Sequence, residues 1–279
     1  MTWRIIADTS ADPIYGDLNE GDISVSYVPF TINTDTKNYV DDGNIDITAM
    51  VEDMYASSNP CKTACPASGL WLEEFNKADY SIAITISSHL SGSYQSACIA
   101  RDMFNADNAN KKAIVLDSCS AGPELTLGVI KAIELIKQGL SLDEIEVKLN
   151  EFFLSTHTLF ALCSFENLIK NGRMSRIAGF VAKTLKMWGL GVGTDDGVID
   201  IKGKARTESK IVEMIIDTMT ENNFDNGIVG ISHCLNEKIA NKIKEAILIK
   251  WPNSKIQIGD TRGLCSFYAE KEGVIVAYY

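Results

Sequence analysis

The stretch from Ser81 to Ala97 reads SIAITISSHLSGSYQSA, and the predicted fold is built around it. It begins with an apolar run rich in β-branched residues, Ile82–Ile86, which is typical of a buried strand. It turns through Ser87–His89 and restarts as a helix whose first residues, Ser91–Ser93, are small. Such a helix start gathers backbone N–H groups, hydroxyls and the positive end of the helix dipole. The site therefore suits a carboxylate or a phosphate, unless Ser91 only caps the helix.

Composition limits the classes of protein and partner. The chain has 279 residues, enough for about two domains, each with its own core. Its formal net charge of −11 argues against nucleic acid and against an anionic membrane surface as partners. No apolar run approaches the roughly 20 residues that span a bilayer, so we expect no stable membrane insertion. The first residues show no secretory signal, and seven scattered cysteines indicate reduced thiols, so we expect a cytoplasmic protein.

The order of predicted elements indicates an α/β protein with two domains. In residues 1–155, strand and helix alternate three times, which favours βαβ units and a parallel sheet. Residues 156–279 predict a hairpin and several helices, a mixed-sheet α+β domain. Within the second domain, Ile177–Trp188 has apolar residues at helical spacing and the glycine-rich Gly189–Gly193 follows it. The stretch Ile23–Ile32 is predicted to be β-rich, with Asn38–Val40 as a hairpin partner.

The sequence lacks the motifs that mark several kinds of catalytic and cofactor site. His89, His157 and His233 have no second ligand at zinc spacing, so we expect no metal. No nucleophile elbow, phosphate loop or dinucleotide fingerprint occurs, and we expect no cofactor. An acyl hydrolase or transferase that uses Ser91 or Cys65 remains as the enzymatic alternative.

Small hydroxylic residues follow several predicted strands of the first domain. In a parallel sheet the carboxyl ends of the strands share one edge, where ligands bind. Hydroxyls and amides that converge there without a fixed base describe an anion receptor, although each residue alone also suits a cap or a turn. The residues are Ser10, Thr63, Ser91, Ser93, Ser118 and Ser120.

Five motifs in order make the chain similar to a known family. The pattern I-S-S-x-L-S-G-T-Y-Q-S-A reads here as Ile86–Ala97, with Ser93 in place of threonine. With its other motifs the chain resembles the DegV family of bacterial fatty-acid-binding proteins over essentially its whole length. The other motifs are Asp8–Asp12, Asp117–Ser118, Asn171–Ser175 and Gly203–Arg206.

The resemblance implies two α/β domains that hold a long-chain fatty acid, such as palmitate, between them. It implies that Thr63 and Ser91 hold the carboxylate, with Ala64, Gly92 and Ser93 beside them. It further implies a role in lipid transport, or in presenting the fatty acid to a separate fatty-acid kinase.

Two more sets of residues follow from this resemblance. The first comprises two basic residues on the face that would meet the kinase, Arg173 and Arg206. The second comprises four apolar residues that are candidates for the acyl-tail pocket or for ordinary core packing, Phe180, Val181, Leu185 and Trp188.

The chain departs from the family pattern at two places. The family's T-S-Q-P-S is Thr63–Ala67, with the sequence TACPA, and a late histidine is replaced by Ala269.

Overall fold

The computed structural model describes residues 1–174 and 187–279. Within these residues, no helix is long and apolar enough to cross a membrane. The strands are β1 (Trp3–Asp8), β2 (Ile23–Val28), β3 (Thr31–Asn33), β4 (Asn38–Val40), β5 (Lys62–Ala64), β6 (Tyr80–Thr85), β7 (Lys112–Asp117), β8 (His157–Leu162), β9 (Trp188–Gly193), β10 (Ile199–Ala205), β11 (Ile228–His233), β12 (Lys255–Asp260) and β13 (Val274–Tyr278). The helices are α1 (Ile47–Ala56), α2 (Ser68–Phe75), α3 (Ser93–Asp107), α4 (Pro123–Lys137), α5 (Leu142–Ser155), α6 (Glu166–Lys170), α7 (Glu208–Glu221), α8 (Glu237–Lys250) and α9 (Gly263–Ala269).

The first sheet is parallel, as predicted, and has the strand order β2-β1-β6-β7. Successive side chains of β6 point to opposite faces of this sheet. Ile82 and Ile84 pack in the cluster that includes residues of α4 and α5, whereas Ala83 packs in the cluster formed with α2 and α3. Helices therefore cover both faces, which explains why β6 is an almost continuous apolar run.

The second sheet is mixed, as predicted, with the order β10-β9-β8-β13-β11-β12. Only the β11–β12 pair is parallel among its described strands. Helix α4 packs against β1 and β6 of the first sheet and also against β11 and β13 of the second. Because α4 contacts both sheets, the division of the chain after residue 155 remains a proposal.

Three short strands form a separate antiparallel sheet, β4-β3-β5. The stretch Ile23–Ile32 is β-rich and pairs with Asn38–Val40, as predicted, but it divides between two sheets, because β2 joins the parallel sheet while β3 pairs with β4 and β5. Thr63 lies inside β5 opposite Ile32, so it is not at the end of a parallel strand. In the second half, Gly189–Gly193 is part of β9, and Trp188 begins that strand instead of ending a helix.

A buried carboxylate joins the two halves of the chain. Asp12 accepts hydrogen bonds from the Ser232 hydroxyl, at 2.5 Å, and from the Arg262 backbone N–H, at 2.8 Å. The Asp12 carbonyl also accepts a hydrogen bond from the hydroxyl of Thr126 on α4. Burial raises the pKa of Asp12 to about 7, although these hydrogen bonds oppose the rise.

Replacing Gly197 by alanine tests the contact between the β9–β10 turn and the turn that follows β6. Gly197 has φ +74°, and a Cβ there would lie 2.4 Å from the Ser87 hydroxyl oxygen. We expect Gly197→Ala to lower the free energy of unfolding by about 2–4 kcal/mol, the sum of left-handed strain and overpacking. The matched control is Gly139→Ala, at φ +77° with open space around it, which should cost only about 1 kcal/mol. Equal losses in urea unfolding would contradict the close contact.

The raised pKa of Asp12 predicts the sign of a pH dependence. A carboxyl whose pKa is higher in the folded state stabilises the protein below its unfolded pKa and loses that contribution as pH rises through the folded value. We expect the unfolding free energy of the wild type, minus that of Asp12→Asn, to fall between pH about 4 and about 8. The control Asp17→Asn removes an exposed carboxyl whose pKa is lowered by hydrogen bonds from Asn19, so it should show no such fall. A flat difference for Asp12→Asn would contradict the assignment.

Candidate functional site

A cavity of about 300 Å³ lies where the first sheet, the small sheet and the second sheet meet. Its walls are mostly aliphatic and aromatic side chains, and its polar groups are few. The described lining residues are Phe30, Thr63, Ala64, Cys65, Ile86, Leu90, Ser91, Gly92, Ala121, Phe160, Leu162, Leu168, Arg173, Ile199, Leu264, Cys265, Tyr268, Ala269 and Ile275.

The apolar wall comes from one face of the second sheet. In β8, Phe160 and Leu162 line the cavity, whereas Leu159 and Ala161 pack on the opposite face in the core formed with α7 and α8. The alternation follows from the two-residue period of a strand. Ile275 of β13 is likewise on the cavity side.

The glycines of β9 lie on the same face of the second sheet as this wall. Trp188 and Leu190 of β9 face the core on α7 and α8, so the intervening glycines face the other side. A Cβ on Gly191 would lie 3.2 Å from Ile199 Cγ2 and 3.5 Å from Phe160 Cβ. The glycine therefore allows these two cavity-lining residues to approach the strand.

Ser91 lies in the turn between β6 and α3. The turn is closed by hydrogen bonds from the Leu90 and Ser91 N–H groups to the Ser87 carbonyl. The Ser91 hydroxyl oxygen accepts a hydrogen bond from the Ser93 N–H at 3.2 Å, where α3 begins. A hydroxyl that accepts through its oxygen keeps its own proton for donation. Ser91 can therefore shape the helix start and donate to a ligand at the same time.

Thr63 reaches the same cavity from β5. The segment that follows β5 is held to α3, because the Ser96 hydroxyl donates to the Pro66 carbonyl at 2.7 Å. Cys65 Sγ lies 3.5 Å from the position of a Cβ on Gly92, so the two segments touch at the cavity. The Thr63 hydroxyl also hydrogen-bonds the Tyr268 hydroxyl, with 2.9 Å between the oxygens. Thr63 and Ser91 are thus brought to one cavity although 28 positions separate them in the sequence.

The buried carboxylate of Asp8 holds the start of α3 in place through hydrogen bonds. Its Oδ2 accepts hydrogen bonds from the Ile86 N–H at 2.9 Å and from the Ser93 hydroxyl at 2.7 Å. Burial raises the pKa of Asp8, and the hydrogen bonds from Ser10 and Ser93 oppose that rise. The Ser93 hydroxyl is therefore directed into the protein, and this corrects its expected place beside the ligand.

The remaining predicted site residues have separate positions. Ala64 and Gly92 line the cavity with Thr63 and Ser91. Arg173 also lines it, and its Nε donates to the Leu90 carbonyl at 3.0 Å. Arg206 is exposed in the turn after β10.

The predicted tail residues are not found at the described cavity walls. Trp188 is buried in the core on α7 and α8, because its position in β9 directs it to the face opposite the cavity. Phe180, Val181 and Leu185 lie outside the described residues.

The strand-end hydroxyls do not form one receptor. Ser10 donates to Asp8 at 2.5 Å within the protein. Ser118 and Ser120 line a different cleft, where the Ser120 hydroxyl donates to the buried Glu124 at 2.7 Å. Ser10, Ser118 and Ser120 follow strands that share one edge of the sheet, as predicted, but the expected convergence on one ligand is wrong for them, because their hydroxyls are used by nearby carboxylates and turns.

Several lining residues were not predicted from the sequence. Tyr268 and Cys265 reach the cavity from α9, and Ile86 and Leu90 reach it from the two ends of the β6–α3 turn. The period-two pattern of β8 is the one signal that singles out Phe160 and Leu162 as one face, but it does not say what that face meets. Among the described residues, no group of three His, Cys, Asp or Glu side chains has a geometry suited to a metal ion.

Comparisons with known proteins match this chain to one family over nearly its whole length. A family model described as "Uncharacterised protein, DegV family" matches residues 2–279. A DegV domain-containing protein of Streptococcus pyogenes serotype M1 is 35% identical over 278 residues, which cover 100% of this chain and 99% of the relative.

Solved structures with a similar fold also match nearly the whole chain. The Streptococcus pneumoniae Fatty Acid Kinase (Fak) B3 protein loaded with linoleic acid matches with a TM-score of 0.95 and 36% identity, covering 100% of this chain and 99% of the other. A DegV family protein from Eubacterium eligens loaded with heptadecanoic acid matches with a TM-score of 0.94 and 29% identity, covering 99% of each chain. With the full-length family match and relatives above 30% identity, these comparisons show that the chain belongs to the DegV family.

Proposed function

We propose that this protein binds a long-chain fatty acid in the cavity, with the carboxylate at Thr63 and Ser91. The observation that carries the proposal is the division of the cavity into two parts, a polar end and an apolar remainder. The polar end comprises Thr63, Ser91, Arg173 and Tyr268. At the polar end, the Thr63 hydroxyl is hydrogen-bonded to the Tyr268 hydroxyl, and Cys65 lies against Gly92. Arg173 donates a hydrogen bond to the carbonyl of Leu90, the residue before Ser91. The aliphatic and aromatic residues form the other walls. Similar structures that carry linoleic and heptadecanoic acid support this choice of ligand.

The acyl chain supplies most of the binding energy. Each buried methylene contributes about 0.8 kcal/mol, so a palmitoyl chain with about 15 apolar carbons gains roughly 12 kcal/mol before the costs of ordering. Apolar walls such as Phe160, Leu162 and Ile275 provide the surface against which it is buried.

The polar end orients the ligand. A carboxylate removed from water without hydrogen-bond donors would be strongly disfavoured, so donors are needed where it binds. The hydroxyls of Thr63 and Ser91 are donors of this kind. Among the described lining residues, Arg173 is the one with a formal charge, and a cation favours an acidic head group.

We propose a binding role and not a catalytic one. A hydrolase or transferase that used Ser91 or Cys65 would need a general base within hydrogen-bond reach of the nucleophile. None of the described lining residues is a histidine, aspartate or glutamate, and His89, two residues before Ser91, is exposed. These observations favour a carrier over the enzymatic alternative.

We also propose that the bound fatty acid is presented to a fatty-acid kinase. A similar structure is described as a Fatty Acid Kinase B3 protein, which supports such a partner. Arg206 is exposed in a turn, as a contact residue must be. Arg173 lines the cavity and is half-buried, so its charge is available to the head group.

Mass spectrometry of an organic extract of the purified protein tests the ligand class. A fatty acid in about one-to-one ratio with protein is the expected result. If the extract is empty, and delipidated protein also takes up no added palmitate or oleate, the proposed function is wrong.

Removing both hydroxyls should weaken binding without loss of the fold. We expect the Thr63→Ala/Ser91→Ala double variant to bind palmitate about tenfold or more weakly, because hydrogen bonds to a charged group contribute about 1.5–3 kcal/mol. Fluorescence displacement measures the affinity and thermal melting checks the fold. The matched control is Ser88→Ala, in the same turn but exposed and outside the cavity lining, which should bind as the wild type does. Unchanged affinity in the double variant would refute the head-group assignment.

Reversing the charge of Arg206 should separate presentation from binding. We expect Arg206→Glu to lower acyl-phosphate formation by a fatty-acid kinase with ATP about fivefold or more, because an exposed charge at a contact changes association. Palmitate affinity should stay unchanged, since Arg206 does not line the cavity. Lys238→Glu, on α8, is a charge-matched control that should retain kinase turnover. Equal turnover in Arg206→Glu and the wild type would remove Arg206 from the proposed contact.

A further inference from the structure

Among the described lining residues, Tyr268 is the one with a hydroxyl that the sequence motifs did not single out. It is a half-buried residue of α9, its side chain lines the cavity and its hydroxyl lies 2.9 Å from the Thr63 hydroxyl oxygen. The next residue, Ala269, also lines the cavity but has no polar side chain. The polar contribution of α9 at this place therefore comes from Tyr268.

The tyrosine ring is held in position from several sides. Phe267 packs edge-on against it, with 4.8 Å between ring centroids and an interplanar angle of 87°. The Phe267 carbonyl accepts a hydrogen bond from Asn167 Nδ2 at 2.9 Å. At the other end of α9, the Asp41 carboxylate accepts hydrogen bonds from the Gly263 and Leu264 N–H groups at 3.0 and 2.9 Å. The hydroxyl of Tyr268 thus approaches Thr63 from a helix that is itself anchored.

The direction of the hydrogen bond follows from the chemistry of the ligand. An ionised carboxylate only accepts hydrogen bonds, so a threonine that holds it must donate its single proton to it. If Thr63 instead donated to Tyr268, no Thr63 proton would remain for the ligand. With a carboxylate bound, Tyr268 must therefore donate to the Thr63 oxygen. A hydroxyl that accepts one hydrogen bond while it donates another is polarised and becomes a better donor.

We propose that Tyr268 is a positioning residue of the head-group site, which donates to Thr63 and so directs the Thr63 proton toward the carboxylate. The proposal rests on the proposed fatty-acid-binding function and deepens it. It assigns to Tyr268 a part of the preference for an ionised acid over an uncharged lipid of the same chain length. A fatty alcohol has its own hydroxyl proton and can donate to Thr63, so it does not need the directed Thr63 proton.

The test compares palmitate with hexadecanol in fluorescence displacement. We expect Tyr268→Phe to weaken palmitate binding about fivefold, because the Thr63 proton is then no longer directed toward the carboxylate and their hydrogen bond is weakened. Hexadecanol binding should change less than about twofold, because the alcohol can donate its own proton to Thr63. The ring remains and keeps its packing on Phe267. A second variant, Tyr268→Met, removes the hydroxyl with a different side chain and should lower the acid-to-alcohol preference in the same direction.

A double-variant cycle separates a positioning role from a direct contact. Because Tyr268 is argued to act through Thr63, Tyr268→Phe should add nothing to the loss caused by Thr63→Val. The matched control is Tyr55→Phe, which removes a hydroxyl that accepts from the Lys271 N–H near the end of α9 but does not line the cavity. That control should bind both lipids as the wild type does.

The outcomes that overturn the proposal are distinct from failure of the proposed function. Unchanged palmitate affinity in Tyr268→Phe, equal losses for acid and alcohol, or additive losses with Thr63→Val would each refute the positioning role while the wild type still binds palmitate. A wild type that binds neither lipid would refute the proposed function itself.

Discussion

The buried carboxylate of Asp8 is the interaction on which the polar end of the cavity depends. It lies at the end of β1 and accepts hydrogen bonds from the Ile86 N–H, where β6 ends, and from the Ser93 hydroxyl, where α3 begins. One side chain thereby fixes the exit of the central strand and the start of the helix that follows it. Burial of this carboxylate disfavours its charge, so its donors are required to offset desolvation. The Ser91 hydroxyl, between these two anchored points, is placed as a consequence.

The second sheet contributes the apolar end of the cavity through strand geometry. Alternate residues of β8 divide between the core on α7 and α8 and the cavity, which places Leu159 on one side and Phe160 on the other. The glycines of β9 leave space on the cavity side, and Trp188 fills the core on the opposite side. A single sheet can therefore stabilise the fold with one face and bury a lipid tail with the other.

The proposed site separates affinity from orientation. The proposed tail surface includes one face of the second sheet, whereas the proposed head-group site draws on three elements: Thr63 on β5 and Ser91 before α3 as donors, and Tyr268 on α9, which acts through Thr63. Because these elements are anchored independently, the donors are arranged before a ligand arrives, which lowers the cost of ordering them on binding. The hydrogen bond between Tyr268 and Thr63 connects two of the three elements at the point where the carboxylate is proposed to lie.

The sequence by itself determined the parallel first sheet, the mixed second sheet and the family, because strand and helix periods and short motifs are local signals. It also singled out Thr63 and Ser91 as candidate ligand-binding residues, and the structure brings both to one cavity. The tertiary structure alone decided which neighbours those residues meet, because contacts between distant segments leave no periodic trace in the chain. Ser93 therefore turned out to donate to Asp8, Trp188 to belong to the core, and Tyr268, without any motif of its own, to contact Thr63.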